Sequence, residues 1–197
     1  MAVNLKSLGV AGSAAASLTI SGSTNATPIV ATLGAGHGLK NGDRIAVSGV
    51  TGNTGANGIW TLAFTGENTA QLVGSVGNGS HGGTVRVGLV CDDTPLMEGH
   101  SAMLETFGNG VATLLLESFA SYDDFAAGRN DDGASPPILT SSGVTQAGAT
   151  PGATAASSSV VIAATAVGYK AEVKLPRILR ASLSAYTSGS VHVRIVG

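Results

Sequence analysis

The feature that most constrains this chain is a succession of short β-branched segments between residues 27 and 87. The segments are residues 29–33, 44–47, 59–64, 71–73 and 84–87. Clusters of Gly, Asn, Thr and Ser separate them, and Gly and Asn tolerate the positive φ that tight turns require. Half-buried strands that alternate with such turns predict a small antiparallel β module.

Trp60 is the only tryptophan of the chain and lies in the middle segment of this set. We expect it to form the centre of the module's core, because burying a large apolar side chain stabilises a fold by roughly 1.5–3 kcal/mol. The alternative is an exposed indole that stacks on a sugar or a base. No charged residue adjoins Trp60 in the sequence to position such a ligand.

A series of short motifs in this region resembles a known family. The motifs are Gly36-His37-Gly38-Leu39, Asn41-Gly42-Asp43, Asn57-Gly58-Ile59-Trp60 and Gly66-Glu67-Asn68. In this order they are similar to a β-barrel-like module named after the first catalytic-cysteine half-domain of ubiquitin-activating enzymes. The resemblance covers about a third of the chain, and such modules recur in the virion proteins of tailed bacteriophages. It does not imply ubiquitin chemistry, because the module contains no cysteine.

The second half of the chain predicts a further set of strands. Residues 169–175 and 190–196 alternate apolar and polar side chains, which indicates strands with one buried face. Gly108-Asn109-Gly110 is a turn signal between two strands. The order of these segments resembles the sandwich of small phage head and tail proteins, in which an acidic-aromatic turn, here Tyr122-Asp123-Asp124-Phe125, follows a strand. The same resemblance implies a terminal hairpin with Thr187-Ser188-Gly189-Ser190 at its tip.

The predicted fold is therefore all-β, a small β-barrel-like module followed by a β-sandwich of jelly-roll or immunoglobulin-like kind. The predicted divisions are an extended N-terminal arm or lead-in strand at 1–24, the module at 25–90, and the sandwich at 91–197. A frayed terminus is the alternative for the arm. Residues 126–159 are predicted to be a long loop that becomes ordered against a neighbouring subunit.

Composition narrows the function. Charged residues make up 11% of the chain and glycine accounts for 29 residues, which suits a surface covered by neighbouring proteins. The net charge of −2 provides no basic surface for nucleic acid. The uncharged stretch 133–169 contains prolines and many small polar residues, so it does not predict a membrane span. The first residues lack a signal-peptide pattern, so we expect assembly in the host cytoplasm.

Residues that could carry chemistry are few and scattered. Cys91 is expected to be a buried apolar residue, with a reactive thiol as the alternative. The four histidines, His37, His81, His100 and His192, show no metal-ligand spacing, and His37 is expected to stabilise a turn. The acidic doublets at 92–93, 123–124 and 131–132 are expected to be turn residues. Asp131-Asp132-Gly133 is the best candidate for Ca²⁺ if any is real.

The resemblances imply a virion protein, and since no motif for chemistry stands out we expect it to be non-enzymatic and without a cofactor, most simply a capsid decoration or cement protein. Its predicted partners are the major capsid protein and copies of itself, and the resemblance alone implies a homotrimer. Leu5, Val10, Ile138 and Leu139 are the predicted subunit contacts, because they are apolar within segments too poor in core pattern to bury them. The alternative is a tail or fibre component whose module binds a host glycan through Trp60 and Tyr122. A cellular enzyme domain is the third class.

Overall fold

The computed structural model describes residues 5–11, 18–35, 37–93, 96–97, 101–108, 111–128, 144–145, 149–151, 159–162, 169–174, 177–188 and 191–196. Side chains are described within 18–35, 37–91, 117, 119–128 and 177–180.

These residues form strands almost throughout. The strands are β1 Leu5–Ala11, β2 Ile20–Ser23, β3 Ile29–Leu33, β4 Arg44–Ser48, β5 Gly58–Phe64, β6 Thr69–Leu72, β7 Arg86–Val90, β8 Asp92–Asp93, β9 Leu96–Met97, β10 Ser101–Gly108, β11 Val111–Phe119, β12 Val144–Thr145, β13 Ala149–Pro151, β14 Ser159–Ile162, β15 Tyr169–Lys174, β16 Ile178–Ser188 and β17 Val191–Val196. The one α-helix of the described part is α1, Tyr122–Ala127, and a 3-10 turn spans Thr54–Ala56. The all-β prediction is confirmed.

Strands β8 and β9 pair with each other, and all the other strands belong to two large sheets. One has the order β1-β17-β10-β15-β12, and the other has the order β13-β14-β11-β16-β7-β4-β5-β6-β3-β2. Within the larger sheet, the seven strands from β16 to β2 are antiparallel and curl into a half-barrel. The predicted module is the greater part of this half-barrel, to which β2 adds a strand from the predicted arm and β16 adds one from the second half of the chain. A sandwich in the second half stays a prediction.

Strand β4 lies between β7 and β5 in the half-barrel and is buried on both faces. Ile45 and Val47 face the concave side together with Leu89, which pairs with Ile45 across the sheet. Ala46 faces the opposite side, where Gly88 is its partner on β7. Successive side chains of a strand point to opposite faces, so a strand without exposed residues must be covered twice.

The cover of the convex face is α1 together with the end of β11. Phe125 of α1 is fully buried against Ala46, Val90, Phe119 and Ile178. The Phe119 and Phe125 rings meet edge to face with centroids 5.3 Å apart. The space for Phe125 comes from Gly88, where a Cβ would lie 3.1 Å from the Phe125 ring and 2.7 Å from Ile178.

Helix α1 replaces a turn that the sequence predicted at Tyr122-Asp123-Asp124-Phe125. The Ser121 side chain accepts a hydrogen bond from the Asp124 backbone N–H at 3.1 Å, which is the standard N-terminal cap of a helix. Gly128 ends the helix in the left-handed conformation, with φ 67°. The turn prediction was wrong because the Ser121 cap and the Gly128 terminus together stabilise a short helix around these residues.

The hairpin that the resemblance implied at residues 187–190 is wrong, and the strands on either side of Gly108-Asn109-Gly110 do not pair with each other. Strands β10 and β11 lie in different sheets, since β10 pairs with β15 and β17 whereas β11 pairs with β14 and β16. Strands β16 and β17 are divided between the sheets in the same way. Both connections therefore lead from one sheet to the other. The strands themselves fall close to where the sequence predicted them.

The prediction that Trp60 forms the core's centre is wrong as well. Trp60 lies opposite Ile45 and so faces the concave side, but it is only half-buried. The largest fully buried side chains of the half-barrel's concave side are Ile29, Ile45, Leu62, Leu72 and Leu89. Trp60 covers the end of this core, where its ring lies over Gly58 and its indole N–H donates to the Ala56 carbonyl oxygen at 2.8 Å.

The outer strands of the two large sheets are short or irregular. Strand β12 has two residues and β13 ends in Pro151, which has no N–H to offer a partner strand. In β2 the register shifts between Ile20 and Gly22, and in β1 it shifts between Ser7 and Gly9. Such features are the ones by which proteins prevent edge-to-edge pairing.

Several strands lie within or across the divisions predicted from the sequence. Strand β1 pairs with β17 and β2 pairs with β3, so residues 5–11 and 20–23 are sheet strands. Strand β7 pairs with β16, so one sheet passes across the boundary predicted near residue 90. Helix α1 and the short strands β12 and β13 fall within or overlap the predicted loop 126–159, and residues 129–143 lie outside the described residues.

Candidate contact surface

The most informative surface of the half-barrel is the loop between β6 and β7, residues 73–85, which we call the glycine loop. It has no strand or helix of its own and contains five glycines. Residues 68–85 include no Asp, Glu, Lys or Arg. Loops of this length without secondary structure are uncommon in compact domains and are usually functional.

In the turn at the start of the glycine loop, the polar side chain is buried and the apolar side chains are exposed. Ser75 is 1% exposed, whereas Val73 and Val76 are 49% and 61% exposed. The Ser75 hydroxyl donates to the Leu72 carbonyl oxygen at 2.6 Å and accepts the Ile29 backbone N–H at 2.9 Å. These two bonds direct the serine inward, and both valines consequently face outward.

Asn53 holds the middle of the glycine loop. It is fully buried, and its side-chain Nδ2 donates to Ser23 Oγ at 3.1 Å and to the Thr24 carbonyl oxygen at 2.9 Å. Its Oδ1 accepts the Asn78 backbone N–H at 2.9 Å. One amide therefore joins the end of β2, the 3-10 turn and the glycine loop. A buried amide is stabilising only when its polar atoms are paired, as they are here.

Asn78 completes this network from the other side. Its Oδ1 accepts the Gly55 backbone N–H at 3.0 Å and its Nδ2 donates to Thr54 Oγ1 at 2.7 Å. The loop backbone adds two bonds, from Gly77 N–H to the Ala26 carbonyl oxygen at 2.9 Å and from Thr51 N–H to the Gly82 carbonyl oxygen at 3.0 Å. The glycine loop is thus fixed along its length by hydrogen bonds.

Close contact between two backbones explains the glycine content. A Cβ at Gly52 would lie 2.0 Å from the Ser80 carbonyl oxygen, and a Cβ at Gly55 would lie 2.0 Å from the Val76 carbonyl oxygen. Any other residue at either position would force the two segments apart. The seam between residues 49–55 and the glycine loop is therefore built from glycine because no side chain fits.

His81 lies at the rim of the glycine loop, where its Nδ1 and Ser23 Oγ share a hydrogen bond of 3.1 Å. A serine beside a histidine is the beginning of a nucleophilic site. Here the hydroxyl also accepts from buried Asn53, and both residues are half-buried. The pair serves to hold the loop to β2.

The prediction that His37 stabilises a turn is confirmed by its hydrogen bonds. The Leu39 backbone N–H donates to His37 Nδ1 at 3.0 Å, so the proton of the neutral ring lies on Nε2, which donates to the Glu67 carbonyl oxygen at 3.1 Å. The ring also stacks on Phe64 with centroids 5.0 Å apart. His37 thereby connects the loop after β3 to the turn after β5.

Tyr122 and Trp60, the residues of the predicted glycan site, are both half-buried and both bonded within the chain. The Tyr122 hydroxyl donates to the Val47 carbonyl oxygen at 2.8 Å. Burial raises the pKa of Tyr122, the Gly58 backbone N–H opposes this effect, and the Asp123 carboxylate adds to it. The polar atoms that would orient a sugar at these residues are thus directed at the protein's own backbone.

The acidic doublets fall in three different settings. Asp92 and Asp93 form β8, and Asp123 and Asp124 lie in the first turn of α1. Asp131 and Asp132 lie outside the described residues, as does His100, while His192 belongs to β17. Across the described part of the chain, no group of three or more His, Cys, Asp or Glu side chains could hold a metal ion. Cys91 is buried.

Two of the four predicted subunit contacts can be placed. Leu5 and Val10 belong to β1, in register with Val196 and His192 of β17. Ile138 and Leu139 lie outside the described residues. None of the helices in the described ranges is long and apolar enough to cross a membrane.

Sequence reasoning missed the glycine loop as a surface. Residues 71–73 were predicted as a strand, but β6 ends at Leu72 and leaves Val73 exposed. The available signal was the uncharged run 68–85, whose glycines are too many for a simple turn. The role of Asn53 had no local signal, because its partners are about 25 to 30 residues away in the chain.

Comparisons with known proteins found no counterpart. No protein-family model matches the chain, and neither the curated proteins nor the solved structures include a match.

Proposed function

We propose that the chain is a non-enzymatic structural protein of a tailed-phage virion, and that it acts as a capsid decoration or cement protein. The observation that carries the proposal is the glycine loop, a fixed and uncharged surface that presents two valines outward. A surface already ordered before binding loses little conformational entropy when a partner covers it. That property suits a protein whose function is attachment.

The hydrogen bonds of the half-barrel's polar side chains support the same proposal. Asn53, Asn78, His37 and Ser75 all hydrogen-bond to neighbouring backbone, and each thereby fixes a loop. Side chains at a reacting centre must instead direct polar atoms towards a substrate. The hydrogen bonds of these four side chains therefore support a scaffold.

The irregular outer strands fit a protein that is present in many copies on one shell. Edge-to-edge pairing would turn such copies into open-ended aggregates, and the bulges of β1 and β2 oppose it. Attachment then proceeds through faces and loops, with the major capsid protein as the partner. Weak single contacts combine by multivalency when each subunit reaches across a boundary between capsid subunits.

The test compares particles assembled with and without the protein. Heads that lack it are expected to release their contents at lower temperature, and addition of the purified full-length chain is expected to restore their resistance. Equal resistance of the two kinds of particle would contradict the cement function.

The alternative, a tail or fibre component that binds a host glycan, is disfavoured by the internal hydrogen bonds of Trp60 and Tyr122. A glycan array with the full-length chain separates the two functions. Specific binding that is lost in Trp60→Ala but retained in Phe64→Ala would favour the adhesin.

A further inference from the structure

We propose that Asn78 is a site of spontaneous deamidation in the folded protein, where the Gly79 backbone nitrogen converts it to aspartate and isoaspartate. An asparagine that precedes glycine is prone to this reaction, because glycine has no side chain to hinder the attack and its backbone moves freely. The chain has four such pairs, and the last of them lies outside the described residues: Asn41-Gly42, Asn57-Gly58, Asn78-Gly79 and Asn109-Gly110.

The reaction needs water as its only co-reactant. The Gly79 nitrogen attacks the side-chain carbonyl carbon of Asn78, a succinimide ring closes, and the side-chain nitrogen leaves as ammonia with the proton that Gly79 loses. Water then opens the ring, at the side-chain carbonyl to give aspartate or at the main-chain carbonyl to give isoaspartate. Asn78 is exposed, so water reaches the ring.

The carbonyl group under attack is similar in the three described pairs. In each pair the asparagine Oδ1 accepts a backbone N–H, from Phe64 to Asn41 at 2.5 Å, from Val50 to Asn57 at 3.0 Å and from Gly55 to Asn78 at 3.0 Å. Such a donor stabilises the negative charge that develops on the oxygen during the attack. The carbonyl group therefore does not distinguish the pairs.

The attacking nitrogen does distinguish them. The Gly42 N–H donates to the Leu62 carbonyl oxygen at 2.9 Å, and the Gly58 N–H is directed at the Tyr122 hydroxyl. Within the described ranges, no hydrogen bond engages the Gly79 N–H. The Gly79 nitrogen can therefore attack without first breaking a hydrogen bond, whereas the other two nitrogens cannot.

The products change the seam between residues 49–55 and the glycine loop. Isoaspartate adds a carbon atom to the main chain just before Gly79, where a Cβ would already lie 2.4 Å from the Gly52 carbonyl oxygen. Either product replaces the Asn78 nitrogen that donates to Thr54 Oγ1 at 2.7 Å, and adds a negative charge to residues 68–85, which otherwise carry none. We therefore expect the modified glycine loop to lose its fixed form.

The test is peptide mapping by mass spectrometry of the folded full-length chain during incubation in mildly alkaline buffer. We expect Asn78 to convert roughly tenfold faster than Asn41 and Asn57, because those two pairs must first lose a hydrogen bond. The same incubation in denaturant is the matched control, in which the three pairs should convert at similar rates. Asn78→Gln should remove the modification at this position, because the longer side chain closes a less favourable ring, and should leave the other two rates unchanged.

Three results would overturn the proposal. They are conversion of Asn41 or Asn57 as fast as that of Asn78 in the folded protein, no conversion of Asn78 in the folded protein, and a preference for Asn78 that persists in denaturant. Hydrogen exchange tests the consequence for the glycine loop. Amides 77–82 of the modified protein should exchange faster than those of fresh protein while α1 stays protected, and equal exchange would contradict the expected loosening.

Discussion

The glycine loop and helix α1 are both segments outside the strands that lie against the half-barrel, but different forces hold them. Helix α1 is held mainly by burial of Phe125, with one end capped by Ser121. The glycine loop buries no large apolar side chain, and Asn53, Asn78 and Ser75 hold it by hydrogen bonds. A segment held by hydrogen bonds can leave its apolar residues outside, where a partner can reach them.

The largest expected effect on stability is in helix α1, which is held by apolar burial. Phe125→Ala removes a fully buried ring and should lower the free energy of unfolding by about 3–5 kcal/mol. Hydrogen exchange should accelerate in α1 more than in the glycine loop. Asp123→Asn, an exposed change in the same helix, is the control for chemical denaturation. A loss below about 1 kcal/mol would mean that Phe125 does not anchor the helix.

The corresponding change in the other region is Asn53→Ala. It removes three hydrogen bonds and should lower the free energy of unfolding by about 2–4 kcal/mol. The exchange of amides 77–82 should accelerate while α1 stays protected. Asn25→Ala, at an exposed site next to the same seam, is the matched control. Uniform acceleration in both regions would show that they are not held independently.

A smaller effect is expected at the cap of α1. Ser121→Ala leaves the Asp124 N–H without its side-chain acceptor and should cost about 1 kcal/mol of stability. Ser121→Thr should recover most of it, because threonine can also cap. If the alanine and threonine variants were equally destabilised, packing of Ser121 rather than capping would be its contribution.

The smallest effect concerns alkaline pH. Because burial raises the pKa of Tyr122, the folded state favours the neutral phenol. The associated stability is fully present below about pH 10, the ordinary tyrosine pKa, and is lost as the pH rises through the higher folded pKa. Tyr122→Phe should lose less stability than the parent between neutral and strongly alkaline pH in chemical denaturation. Parallel pH profiles would contradict this.

The strands were predictable because their signal is local. Residues 169–174 and 191–196 alternate as paired strands do, and the His37 turn was predictable from its setting among glycines. Sheet membership was not predictable, because Gly108-Asn109-Gly110 specifies a reversal of the chain but not which strand β11 will pair with. The buried role of Asn53 depends on partners brought close only by the completed fold. Trp60 was misplaced because size was taken as a guide to position, whereas its indole N–H requires a partner at the margin of the core.

The most direct test of the account is electron cryomicroscopy of the native particle at a resolution that traces this chain. The account predicts copies distributed over the head, each in contact with the capsid protein through its glycine loop. Copies confined to the tail, or no copies on the particle at all, would contradict it.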